Sequence, residues 1–114
     1  MKWPDMAEEV LVILTTWPDA EKARAAARVL IDERLVACAN IVPAVEAIYR
    51  WEGNIETASE ALMILKSTIG RYVELETRIK ALHPYEVPEI VALPVSDGLI
   101  AYLRWVQDCC NAPG

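Results

Sequence analysis

Apolar residues fall along this chain in blocks whose period changes from one block to the next. Val10-Leu11-Val12-Ile13-Leu14 is a continuous, β-branched run closed by Thr15-Thr16, the pattern of a strand buried on both faces. Trp17-Pro18-Asp19 breaks the run and suits a helix start. From Ala20 to Leu35 the period becomes helical: Ala23, Ala27, Leu30 and Ile31 share one face, while Glu21, Arg24, Arg28 and Asp32 point outward. Val36 to Trp51 reads as extended although Pro43 interrupts it. Straight, it would span about 50 Å at roughly 3.3 Å per residue, against a radius of gyration of about 13 Å for a domain of this size. The strand must therefore bend, bulge or overhang, and Pro43 is the natural point for it. Beyond Pro43, Tyr49 and Trp51 share one face, and Ile48 and Arg50 the other.

Glu52-Gly53-Asn54 is a turn signal. The return strand is expected at Glu60 to Thr68, completing a long hairpin. A second helix is predicted from about Arg71 to Leu82, with Tyr72, Leu75, Ile79 and Leu82 inward and Pro84 ending it. Pro88 to Val95 reads as a fourth strand. Asp97 suits the cap of a last helix, from about Leu99 to Cys110, with Tyr102, Val106 and Cys109 on one side. Asn111 to Gly114 reads as a tail.

The order β-α-β-β-α-β plus a terminal helix is the split βαβ, or ferredoxin-like, arrangement of the α+β class. Right-handed crossovers put both main helices on one face of an antiparallel sheet. The terminal helix can cover only part of the other face, and an overhanging hairpin adds open strand edge. Such edges invite pairing with another chain, so an oligomer is expected; a monomer with a curled hairpin is the alternative.

Composition narrows the classes. The 114 residues are 54% hydrophobic and 25% charged, which suits one globular domain over residues 1–114 with its core at about 9–110. Eleven basic against 17 acidic residues leave a net charge of −6, with no basic run, which disfavours nucleic acid as a partner. The Val10–Leu14 run is too short to span a bilayer, and Met1-Lys2-Trp3-Pro4-Asp5 contains no apolar leader. Three cysteines without paired spacing read as reduced thiols, so a cytoplasmic location is expected. Cys109 and Cys110 receive no role.

Candidate chemistry gathers at His83-Pro84-Tyr85-Glu86-Val87-Pro88-Glu89-Ile90. His83 is the single histidine. It can interact with the C-terminus of its helix, or serve as a metal ligand or proton carrier. Two prolines stiffen the stretch after it. Cys38, between alanines, is either a packed core thiol or a soft ligand for a copper-like ion. Tyr49, Trp51 and Tyr85 pack in a core or interface, or line a ligand-stacking pocket with Lys66 as an anion anchor. Linear zinc, nucleophile-elbow and phosphate-loop signatures are missing, so any cation site is assembled in space and no enzyme is required.

Three segments together carry a family resemblance: Leu35-Val36-Ala37-Cys38-Ala39-Asn40-Ile41-Val42-Pro43, Ile48-Tyr49-Arg50-Trp51-Glu52-Gly53 and His83 through Ile90. In unbroken order from about Val10 to Val106, the chain resembles the CutA divalent-cation tolerance family. The resemblance implies a ferredoxin-like subunit in a compact homotrimer whose long hairpins complete neighbouring sheets. It further implies divalent-cation binding of copper type, a shape similar to trimeric nitrogen-regulatory signal proteins, and no catalysis. No cofactor is implied as necessary for folding. Carried over position by position, it points to His83, Cys38, Glu60 and Glu89 as metal ligands. It places Tyr49 and Trp51 at the trimer contact or in the cleft between subunits. Thr15 stands where some relatives carry a further thiol. A trimeric small-ligand signalling or adaptor protein is the alternative, and an enzyme using His83 as acid or base is a third reading.

Overall fold

The computed structural model describes residues 8–111. The N-terminal stretch Met1–Asp5 and residues 112–114 of the expected tail lie outside the described residues. Four strands and three helices follow one another as β1 (Val10–Trp17), α1 (Ala20–Asp32), β2 (Cys38–Trp51), β3 (Asn54–Thr68), α2 (Ile69–Leu82), β4 (Ile90–Pro94) and α3 (Ile100–Cys110). The sheet is antiparallel in the order β2-β3-β1-β4. This is the ferredoxin-like α+β fold expected from the element order.

Strand alternation divides the residues between two faces. Leu11, Ile13, Trp17, Ala61, Met63 and Leu65 are buried together with Ala23, Ala26, Ala27 and Leu30 of α1 and Leu75 and Ile79 of α2. The inward face of α1 thus includes Ala26, whereas Ile31, expected there, is 44% exposed. β1 is also not buried on both faces: Val12, Leu14 and Thr16 are only half covered. On that second face α3 covers one end alone, burying Val106 and Cys110 against Val10 and Ala37. Cys110, rather than the expected Cys109, is the fully buried thiol of α3, and burial raises its pKa.

α1 stops at Asp32, three residues before the predicted end. Arg34 turns into the left-handed region at φ 59°, its N–H donates to the Ile31 carbonyl, and the Leu35 N–H donates to the Leu30 carbonyl. These are the paired bonds of a Schellman termination, built here without glycine. Arg71 reinforces it by donating to the Glu33 and Arg34 carbonyls. Arg78 grips the Glu33 carboxylate with bonds of 2.9 and 3.1 Å and holds that carboxyl below its ordinary pKa. α2 begins at Ile69, two residues early, with the Ile69 N–H bonded to the Glu9 carbonyl. Asp97 does not cap α3: its carboxylate accepts from the Gly98 N–H, and Leu99 precedes the helix without a side-chain bond.

The hairpin is longer than predicted. β3 starts at Asn54, and Trp51 pairs with Asn54 across Glu52 (φ 48°) and Gly53 (φ 82°). Two successive positive φ angles make the tight turn whose twist matches a hairpin. Ala61 is the last β3 residue paired with β1, so Asn54–Glu60 pairs with β2 alone and the ribbon projects. The described chain is therefore 54 Å long with a radius of gyration of 15.3 Å. Pairing passes from Val42↔Leu62 to Val45↔Glu60, three residues of β2 against two of β3. One extra residue makes this a β-bulge, at the bend expected around Pro43.

Candidate functional site

The bulge decides which side chains meet. Before it, Cys38, Asn40 and Val42 pair with Lys66, Ile64 and Leu62, and so lie on the sheet face away from α1 and α2. An unbroken strand would keep even-numbered residues on that face. After the bulge, Val45, Ala47 and Tyr49 pair with Glu60, Ala58 and Glu56, which places the odd-numbered set there. Tyr49 and Trp51 thereby share the open face with Glu60 and Thr16. There they line a groove of about 710 Å³, whose other wall is Tyr85, Glu86, Val87 and Glu89 from the connection between α2 and β4.

His83 holds that connection in place. It ends α2, extended as a residue before proline should be, and its ring is buried. The Tyr85 N–H can only donate, so His83 Nδ1 accepts at 3.1 Å and the proton resides on Nε2, which donates to the Thr16 carbonyl at 2.7 Å. The ring packs between Trp17 and Tyr85, with centroids 4.2 and 4.7 Å away and planes tilted by 34° and 52°. The side chain thus bonds to the backbone of β1 and of its own loop and does not interact with the helix terminus. Tyr85, so positioned, extends its hydroxyl towards Glu60 Oε2 at 3.4 Å. Burial first, and the Glu60 charge second, raise the Tyr85 pKa and keep the phenol protonated.

The four predicted metal ligands do not gather within one chain. Glu60 and Glu89 line the groove; His83 lies behind Tyr85 with both nitrogens engaged. Cys38 lies at the other end of the open face, its sulfur 3.6 Å from the Tyr102 hydroxyl. That contact, more than burial, raises the Tyr102 pKa. Among the described residues, no three His, Cys, Asp or Glu side chains approach closely enough to hold a metal ion. Thr15 is buried on the helix-covered face, so a side chain at that position points away from the groove.

Lys66 is corrected as a groove residue. It pairs with Cys38 and donates to Asn40, six residues along β3 from Glu60, which is about 20 Å at strand rise. The groove therefore has carboxylates where an anion site would need a cation. Glu86 and Val87, absent from the predicted set, complete the wall. The stretch between Pro84 and Pro88 singled out their segment but could not say which way it faces.

The chain is a ferredoxin-like domain with a projecting ribbon and an acid-rimmed groove at the ribbon's foot. The chain matches the family described as "CutA1 divalent ion tolerance protein" over residues 11–109 and belongs to that family. It is 48% identical over 97 residues to the divalent-cation tolerance protein CutA of Thermus thermophilus, covering 85% of this chain and 94% of that one. It is 40% identical over 98 residues to "Protein CutA 1, chloroplastic" of Oryza sativa, covering 86% of this chain and 55% of that one, so it spans about half of that relative. The crystal structure of the Thermus thermophilus protein superposes with a TM-score of 0.87 at 46% identity, covering 90% of this chain and 99% of that one. Among the described residues, no helix is long and apolar enough to cross a membrane.

Proposed function

We propose that this member of the divalent-cation tolerance family is a non-catalytic homotrimer that binds divalent ions of copper type, acts in the response to metal ions, and works in the cytoplasm. The observation that carries the reading is the acid-rimmed groove at the foot of an unpaired ribbon. Asn54–Glu60 offers one free strand edge, and β2 and β4 are the free edges of the sheet. Strand edges of this length are stable when another chain pairs with them. Two carboxylates from one chain, Glu60 and Glu89, become an adequate ion site when a neighbouring copy adds donors. Cys38 is a separate soft donor near α3. The three cysteines, all free, suit a reducing compartment.

Light scattering on a sizing column at micromolar concentration should give the mass of three chains. Calorimetry with Cu²⁺ on reduced protein should show binding that Glu60→Gln with Glu89→Gln weakens at least tenfold. Unchanged affinity in that pair would remove the groove from the metal reading, and a monomer mass would remove the shared site. Cys38→Ser, measured beside it, reports the soft donor alone.

A further inference from the structure

The start of α3 carries apolar surface that belongs to neither the groove, the ribbon nor a strand edge. Leu99 is 76% and Ile100 65% exposed. Half-buried Leu103 and then Gln107 continue the stripe at helical spacing, with Arg104 beside it. The same helix start is bare in a second respect. Leu99 offers no side-chain bond to the first N–H groups, and the Asp97 carboxylate is engaged by the Gly98 N–H. An uncapped helix start favours negative charge. Among the described residues, Arg104 forms no ion pair. The chain itself arrives at the other end of this stripe. Gln107 Nε2 donates to the Glu8 carbonyl at 2.9 Å, and the Ile69 N–H holds the Glu9 carbonyl next to it. Before Glu8 stand Met1-Lys2-Trp3-Pro4-Asp5-Met6-Ala7, in which apolar and charged residues are mixed.

We propose that residues 1–7 dock back along α3 of their own chain, with Trp3 and Met6 on the apolar stripe and Asp5 against Arg104 and the uncapped helix start. The lengths agree. Seven extended residues reach about 23 Å at roughly 3.3 Å each. Gln107 to Ile100 is only about 10 Å along the helix, at roughly 1.5 Å per residue. Counted back from Glu8 at Gln107, Met6 falls beside Leu103, and Asp5 about 10 Å on, level with Ile100. The Arg104 side chain reaches the same level, because helical side chains lean towards the N-terminus. Trp3 comes next, over Leu99, and Lys2 approaches Asp97. Apolar and charged residues of the segment thus occur in the order of their partners on the helix. A segment tethered at Gln107 also meets this surface at an effective concentration that a free second copy does not reach. The inference goes beyond the metal reading and does not depend on it, since it uses neither the groove nor the ribbon.

The test puts a photoreactive side chain in the segment of the full chain, as Trp3→p-benzoylphenylalanine, and maps its cross-links by tandem mass spectrometry after irradiation. Cross-links within one chain should fall mainly between Leu99 and Leu103. Ile100→Gln, at an exposed position, should lower that yield about threefold or more. Arg104→Glu should lower it about two- to fivefold, the range of an exposed ion pair, and Asp5→Arg added to Arg104→Glu should restore part of the loss. Where Ile100→Gln alters the helix content seen by circular dichroism, Leu99→Gln provides the same readout. Cross-links scattered over Glu9, Ile69 and Gly70 would overturn the proposal, as would a yield on α3 that Ile100→Gln and Leu99→Gln leave unchanged. Cross-links that join two chains at Leu99–Leu103, seen as a doubled mass in a denaturing gel, would assign the stripe to a second copy and overturn it likewise. Light scattering and Cu²⁺ calorimetry on the same samples report the trimer and metal readings separately, so each succeeds or fails independently.

Discussion

On the side facing α1 and α2, Ile13, Met63 and Leu65 are fully buried. Their immediate neighbours in the same strands, Leu14, Leu62 and Ile64, face the other way and are only half covered, while Val91 and Leu93 are exposed. The strands are apolar on both faces, yet the chain folds two helices over one face and covers only one end of the other with α3. That difference separates two tasks. The covered face holds the domain together. The open face offers apolar surface and free edges, and with the ribbon it builds the groove. An apolar sheet face left half covered is the kind of surface that the proposed trimer would bury.

The sharpest way to break the comparison is to cut equal side chains on the two faces. Met63→Ala should cost about 2–5 kcal/mol, because the cavity it leaves is enclosed; guanidinium denaturation measures it. Ile64→Ala should cost about 1–3 kcal/mol if copies cover the open face, with a lower oligomeric mass by light scattering. A loss below about 0.5 kcal/mol with unchanged mass would mark the open face as bare surface.

His83→Ala should cost about 1–2 kcal/mol, since it strands the part-buried Tyr85 N–H and Thr16 carbonyl. It should leave the helix content seen by circular dichroism intact. Arg34→Gly should raise stability by up to about 1 kcal/mol, because glycine relieves the left-handed strain at the end of α1; thermal melting reads it.

The smallest effect concerns the Glu33–Arg78 pair on the covered side. The Glu33 pKa is lowered in the folded chain, first by its hydrogen bond to Arg78. Its contribution is therefore full above the unfolded carboxylate range and fades as the pH falls through the folded value. The pair is exposed, so Glu33→Gln should lower the melting temperature only slightly at pH 7 and not at all at pH 2. An equal loss at both pH values would show that geometry, not charge, holds this corner.

Much of the fold was readable in order along the chain. Strand and helix periods, the turn at Glu52-Gly53, the halt at Pro84 and the bend near Pro43 are local signals, and each marks a real feature. The misplaced boundaries were those where a tertiary contact overrode the period. α1 ends early because Arg34 turns left-handed and Arg71 binds the Glu33 and Arg34 carbonyls just past the helix, and β3 begins early because backbone pairing continues through Glu56, Thr57 and Ser59 whatever their polarity. In the site, Tyr49, Trp51, Tyr85, Glu60 and Glu89 were found as residues, and the structure brings these five together; Lys66 and Cys38 it sends to the far end of the sheet.

The order of elements, the ferredoxin-like class, the acidic balance and the family were determined by the sequence alone, because periodicity, turn residues and motif segments act over a few neighbours at a time. The tertiary structure decided the groove. One extra residue between Val42 and Val45 reverses which side chains of β2 face outward, and two hydrogen bonds commit the only histidine to holding a loop. Neither can be read along the chain, since both depend on which strand lies opposite and how far the register has slipped.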